Sequence, residues 1–177
     1  MNDGNEQARE LLERLLAGER GDIVLHLAML VEKSSALDHG DEHYRQILPP
    51  NLAELSLDPT TVDEIMAILF EEVSRNPDSD LLFVIASTGA DEVTRLAVDL
   101  LIHPPRLLTE NECAQALGIV GSYLPYNLSK DSQFLPSATQ KSLAGALKPL
   151  QYSENVSIQG HAGRLLKLFG DLGIETP

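Results

Sequence analysis

The stretch TENECAQALGIVGSYL, residues 109–124, decides the fold class. Thr109 and Glu112 have the spacing of a capping box, in which each side chain accepts a hydrogen bond from the other residue's backbone N–H. Behind them, the apolar positions are Cys113, Ala116, Leu117, Ile119, Val120, Tyr123 and Leu124. They cover more than half of a helical circumference, which is typical of a buried helix. We therefore predict a central helix here, with Leu117 deep in the core.

The same signals recur on both sides of this stretch. The pairs Thr61/Glu64 and Ser137/Gln140 repeat the capping-box spacing. Apolar stripes at helical period follow both of them, and others lie near residues 8–16, 23–31 and 93–101. A last helix is predicted over Val156–Phe169, ending at a C-terminal cap on Gly170.

The run Leu81–Ala86 is the weak point of an all-helical prediction, because six consecutive apolar residues fit a buried strand as well as a helix. No second run of this kind exists to pair with it, and a lone strand leaves its backbone groups without hydrogen bonds. We therefore predict a helix. The chain is expected to be all-α, with about eight helices arranged as stacked helical hairpins or as an irregular bundle, and with no sheet of three or more strands.

The chain is expected to form one domain, residues 1–177, with a possible division into residues 1–58 and 59–170. Within the second part, the stretch Pro125–Pro136 contains proline, serine and aromatic residues and is predicted to be a long loop.

Two stretches, Asp91–Leu101 and Val156–Gly170, resemble the second helix of a HEAT or armadillo repeat, the latter with small residues where neighbouring helices approach. The resemblance covers mainly residues 60–170. Thr109–Leu150 has the length of one repeat. The resemblance implies an α-solenoid fragment, a fold that commonly serves as a protein-binding surface.

The charge is strongly negative and unevenly distributed. The chain carries 27 Asp and Glu against 13 Lys and Arg, a net charge of −14. Residues 1–80 hold 18 of the acidic and 6 of the basic residues. This charge argues against non-specific nucleic-acid binding, which needs clustered cations. With one cysteine, no basic and apolar leader and no long apolar run, the expected location is the cytoplasm, without membrane contact.

The segment around His39, Glu42 and His43 is the one candidate for metal chemistry. The string His-x-x-Glu-His matches an inverted zincin motif, in which two histidines hold zinc and the glutamate activates water. Gly40 interrupts the helix that this motif needs, and no third ligand is evident. A solvated acidic loop is the preferred interpretation. No cofactor is expected, because phosphate-binding and nucleophile motifs are absent.

Two sets of residues are candidates for partner binding. One is aromatic, Tyr126 and Phe134 in the predicted loop. The other is acidic: Glu71, Glu72, Asp78 and Asp80. We predict a non-enzymatic protein–protein interaction module that presents such a surface to another protein, with a basic protein as one candidate partner. Two alternatives stay open: an immunity-type antagonist of a basic toxin, and a metal-binding protein or hydrolase that uses the His39–His43 cluster.

Overall fold

The computed structural model describes residues 3–35 and 39–174. Ten α-helices form the regular structure of these residues, and no β-strand occurs among them. The all-α prediction is therefore confirmed. The chain divides into two compact units, one on each side of the Gly89–Ala90 bond.

The first unit contains six helices. They are α1 (Asp3–Leu16), α2 (Asp22–Lys33), α3 (Asp41–Ile47), α4 (Pro50–Ala53), α5 (Pro59–Arg75) and α6 (Ser79–Ala86). The short helices α3 and α4 bring the number above the eight expected from the sequence. Helix α4 begins at Pro50, where a missing backbone N–H costs no helical hydrogen bond.

The core of the first unit is built around α2, which packs on α1 and α6, while α5 packs on α1 and α6. Fully buried side chains come from all four helices: Leu15, Leu27, Leu30, Ile65, Leu69, Leu82 and Ile85. The sequence-based division at residues 58 and 59 assigned α5 to the later part of the chain. In the structure, α5 belongs to the first compact unit.

The run Leu81–Ala86 is helical, as predicted. The Asp78 carboxylate accepts hydrogen bonds from the backbone N–H groups of Asp80 and Leu81, and so caps α6 at its N-terminus. Four of the six apolar side chains in the run are buried: Leu81, Leu82, Val84 and Ile85. Asp78 thus supplies the cap that lets this ambiguous run begin as a helix.

The second unit consists of two stacked helical hairpins. Its helices are α7 (Asp91–Ile102), α8 (Glu110–Lys130), α9 (Ser137–Leu150) and α10 (Val156–Asp171). Helix α7 packs on α8 and α9 packs on α10, and the hairpins stack through contacts of α7 with α9 and of α8 with α10. Helices α8 and α10 approach closely at Gly121, where an added Cβ would lie 3.0 Å from Nδ1 of His161.

Helix α8 continues through Pro125, so the long loop predicted from Pro125 to Pro136 is wrong. The helix ends at Lys130 and the connection to α9 is short. Proline cannot donate a helical hydrogen bond, and packing around this turn compensates for the cost of that loss. Leu124, just before the proline, is fully buried. Asn127, two residues after the proline, is also buried, and its Nδ2 donates to Oγ1 of Thr94 on α7 over 3.3 Å.

The predicted helix caps have mixed outcomes. The Thr109/Glu112 capping box is present in both directions. The other two boxes are wrong, because Thr61 lies buried inside α5, whose N-cap is Asp58, and Ser137 is the first residue of α9 after Pro136. Gln140 instead donates to the backbone carbonyl of Leu135 over 2.7 Å. Helix α10 also extends past Gly170, to Asp171.

Glu112 supports the start of α8 with its charge as well as its geometry. Both carboxylate oxygens accept from Arg106, at 2.9 and 2.8 Å, and one also accepts from the backbone N–H of Thr109. The side chain is 8% exposed. The hydrogen bonds from Arg106 lower the pKa of Glu112 below the ordinary glutamate value, although burial opposes them.

Glu112→Gln is expected to lower the free energy of unfolding at pH 7 by about 1–2 kcal/mol, because charge-assisted hydrogen bonds are lost. A carboxylate with a depressed pKa stabilises the fold above its unfolded pKa and loses this contribution as pH falls through the folded pKa. The stability gap between wild type and variant should therefore close in that acidic window. Urea melts across the pH range measure it, with exposed Glu92→Gln at the start of α7 as the control. A gap independent of pH would contradict the role assigned to the charge.

Candidate functional site

A shallow apolar groove lies between α1 and α5 of the first unit. It encloses about 180 Å³, and its apolar lining comes from Leu12, Leu16, Ile65 and Ile68. Leu12 and Ile65 are buried, whereas Leu16 is 43% and Ile68 45% exposed. The groove thus has a buried floor and two large apolar side chains open to solvent.

Charged side chains border this groove. Glu13 and Glu64 line it together with Arg9. The Arg9 guanidinium donates to Glu64 over 2.7 Å and also reaches Oγ1 of Thr61 at 3.5 Å. Arg9 therefore already has an acidic partner, while Glu13 forms no salt bridge within the described residues. The apolar strip is bordered by a net negative charge.

The negative charge of the whole protein is concentrated in the same unit. Residues 1–89 contain 18 Asp and Glu and 6 Lys and Arg, a net charge of −12, and the remaining 88 residues carry −2. Helices α1 and α5, which form the groove, carry eight of these acidic residues against three arginines. The potential around the groove therefore favours an approaching cation.

The four acidic residues predicted for partner binding differ in their availability. Asp78 and Asp80 both bind the guanidinium of Arg20, at 2.9 and 3.0 Å. Glu71 pairs with Arg75 one turn along α5 at 2.5 Å, and Glu72 is half-buried. Three of the four are thus neutralised by arginines of the same unit, and Asp78 also caps α6.

The two aromatic residues predicted for partner binding are not both exposed. Tyr126 lies on α8, is 56% exposed and has Nζ of Lys130 4.1 Å from its ring centre. Phe134 is 5% exposed and lies beneath the guanidinium of Arg95, 4.6 Å from the ring centre. Phe134 therefore anchors the connection between α8 and α9, and a joint exposed surface with Tyr126 is not formed.

The histidine cluster gathers around a different glutamate from the one predicted. Oε1 of Glu32 lies 3.7 Å from Nε2 of His39 and 4.0 Å from Nε2 of His43, and the two rings meet edge to face. Buried Tyr44 donates its hydroxyl to the same oxygen over 3.3 Å. Glu42, the glutamate of the motif, is exposed. Within residues 3–35 and 39–174, no group of three or more His, Cys, Asp or Glu side chains has the arrangement of a metal centre.

Burial shifts the pKa values of Cys113 and His161 in the second unit. Burial raises the pKa of the Cys113 thiol, which is therefore protonated at neutral pH and a weak nucleophile. Burial, aided by the neighbouring Arg164 cation, lowers the pKa of His161. The ring of His161 is thus neutral at pH 7, and its Nδ1 lies 3.1 Å from the Arg164 guanidinium.

Ile68 was not among the predicted site residues. The sequence stripe of α5 runs through Val62, Ile65, Met66, Leu69 and Val73, and Ile68 lies outside it. A large apolar side chain outside the buried stripe of an amphipathic helix is the signal by which the sequence could have pointed to an exposed apolar residue here.

Comparisons of the chain with protein-family models, curated proteins and solved structures found no match. Within the described part of the chain, no helix combines the length and the apolar character needed to cross a bilayer.

Proposed function

We propose that this protein is a non-enzymatic interaction module that binds another protein through the groove between α1 and α5. The observation that carries this proposal is the pair Leu16 and Ile68, two large apolar side chains left nearly half exposed beside each other on a buried apolar floor. Burying such side chains in a complex removes apolar area from water, which is the main favourable term in association.

The partner is proposed to present a basic, amphipathic segment. Apolar side chains of that segment would cover Leu16 and Ile68, while its lysines or arginines would meet Glu13 and the surrounding carboxylates. Such complementarity raises the association rate and weakens with added salt. An immunity-type antagonist of a basic toxin is the specific form of this function that the net charge of −12 on residues 1–89 favours.

The second unit supports a related structural proposal. The hairpins are α7 with α8 and α9 with α10, so Thr109–Leu150 spans parts of two hairpins rather than one repeat, and Asp91–Leu101 lies in a first helix rather than a second. Helix α7 stacks on α9 and α8 stacks on α10, which is the arrangement expected of two consecutive HEAT-like repeats, so we propose a HEAT-like α-solenoid fragment. We also propose that the protein is cytoplasmic, because a single cysteine without a disulfide partner suits a reducing compartment.

Photo-crosslinking at position 68 tests the groove. Ile68 is replaced by p-benzoylphenylalanine in producing cells, and we expect one dominant covalent adduct with a basic protein. Ala67, exposed on the same helix but absent from the groove lining, is the matched control position and should give little of that adduct.

With the purified partner, Glu13→Gln should slow association, more at low than at high salt. Equal labelling from positions 67 and 68 would contradict the groove.

A further inference from the structure

The second unit contains a separate groove with the size of a small-molecule site. It encloses about 330 Å³ between α7 and the first turns of α9. Its apolar lining comes from Val98, Ile102, Phe134, Leu135, Pro136 and Ala138. This volume lies at the lower end of the range for ligand sites, roughly 300–1,000 Å³, and ligand sites share this mostly apolar lining with a few polar groups.

Arg95, at the edge of this groove, differs from most arginines of the protein. Six of the eight arginines form salt bridges with carboxylates: Arg9, Arg14, Arg20, Arg45, Arg75 and Arg106. Arg164 contacts His161. Within residues 3–35 and 39–174, no carboxylate lies within ion-pair distance of Arg95, whose guanidinium is stacked on the Phe134 ring.

The carboxylate that lines this groove is already engaged elsewhere. Asp99, one turn beyond Arg95, contacts Nδ1 of His103 at 3.3 Å. Arg95 and Asp99 both line the groove. Along α7, the groove therefore has a cationic side chain at Arg95 and an anionic one a single turn later, at Asp99. An anionic ligand group is therefore favoured at Arg95 and disfavoured at Asp99, which gives a bound molecule one orientation.

We propose that this groove binds a small amphipathic carboxylate, with its carboxylate on Arg95 and its hydrocarbon part over Val98, Ile102 and Leu135. A guanidinium presents a planar fork of N–H donors that matches a carboxylate, and its position over the Phe134 ring restrains the Arg95 side chain before the ligand arrives. A single cation next to Asp99 suits a singly charged group better than a doubly charged phosphate. The hydroxyls of Thr139 and Ser142 add polar atoms at the opposite wall.

Octanoate is the probe for this site. It is titrated into the full-length protein labelled at its methyl groups, and NMR shifts are followed for Val98, Ile102 and Leu135. We expect saturable shifts with octanoate, and affinity about tenfold weaker for 1-octanol, which keeps the chain and lacks the charge; tenfold corresponds to one lost interaction of about 1.4 kcal/mol. Octyl phosphate should bind no more tightly than octanoate.

The variant Arg95→Gln should weaken octanoate binding about tenfold and leave octanol binding unchanged. Arg164→Gln removes the same charge outside the groove and is the matched control, expected to bind octanoate as the wild type does. Arg95 is exposed, so the variant should fold, which its methyl spectrum shows directly. The proposal is overturned if octanoate causes no saturable shifts, if octanol binds as tightly, or if the two variants behave alike.

Discussion

Leu117→Ala is expected to lower the free energy of unfolding by about 2–5 kcal/mol, the range for removing a large aliphatic side chain from a core. Leu117 has no exposed surface and lies on α8, which packs on both α7 and α10. The cost is high because these neighbours belong to two different hairpins, so neither helix moves into the cavity without losing contacts elsewhere.

Urea unfolding followed by circular dichroism measures this loss. Leu107→Ala is the matched control, because Leu107 is 91% exposed and the chemical change is the same. The control should stay within about 0.5 kcal/mol of the wild type. If Leu117→Ala does not fold, Leu117→Met keeps the volume and should cost less than about 1.5 kcal/mol. A loss from Leu117→Ala as small as that of the control would mean that the core lies elsewhere.

Phe134→Ala is expected to destabilise the protein by about 3–5 kcal/mol, the range for truncating a buried aromatic side chain. Phe134 is 5% exposed although it lies in the short connection between α8 and α9. Removing the ring opens a cavity beside Leu135 and also leaves the Arg95 guanidinium without the aromatic face on which it is stacked.

Tyr126→Ala is the control for this second measurement, because Tyr126 is 56% exposed and lies four residues before the end of its helix. It should change the free energy of unfolding by no more than about 0.5 kcal/mol. The comparison also distinguishes two roles for the aromatic residues that were predicted to bind a partner: Phe134 stabilises the fold, whereas exposed Tyr126 remains available for binding. Equal, small effects from both substitutions would show that Phe134 is a surface residue.

The helical spacing of apolar residues predicted most of the helices, because each helix buries a stripe of apolar residues that are close together in sequence. Leu117 and the Thr109/Glu112 capping box needed no information from distant residues. The sequence around Pro125 does not predict that α8 continues beyond it, because the helix is stabilised there by a residue distant in sequence. Thr94, whose hydroxyl accepts a hydrogen bond from Asn127, is 33 positions away. Likewise Thr61 fits a capping box by spacing, but Pro59 starts α5 earlier, and Thr61 then lies within the helix.

The candidate groove could be predicted only in part. Leu16 and Ile65 belonged to predicted stripes, but which stripe residues stay uncovered depends on how α1 and α5 pack, and this is set by the whole unit. The histidine cluster shows the same limit. Its carboxylate is Glu32 on α2 rather than Glu42 of the motif, because chain folding and not motif spacing decides which oxygen reaches the imidazoles.

The buried contact between Asn127 and Thr94 determines how α7 and α8 align. Apolar side chains along this seam are largely interchangeable, and a slide of one helical turn, about 5.4 Å, would still bury leucine and valine. The same slide would separate the Asn127 amide from the Thr94 hydroxyl and leave both without partners in an apolar setting, a cost of about 1–3 kcal/mol for each group. One polar pair thus penalises every misaligned register of the hairpin while adding little to the stability of the correct one.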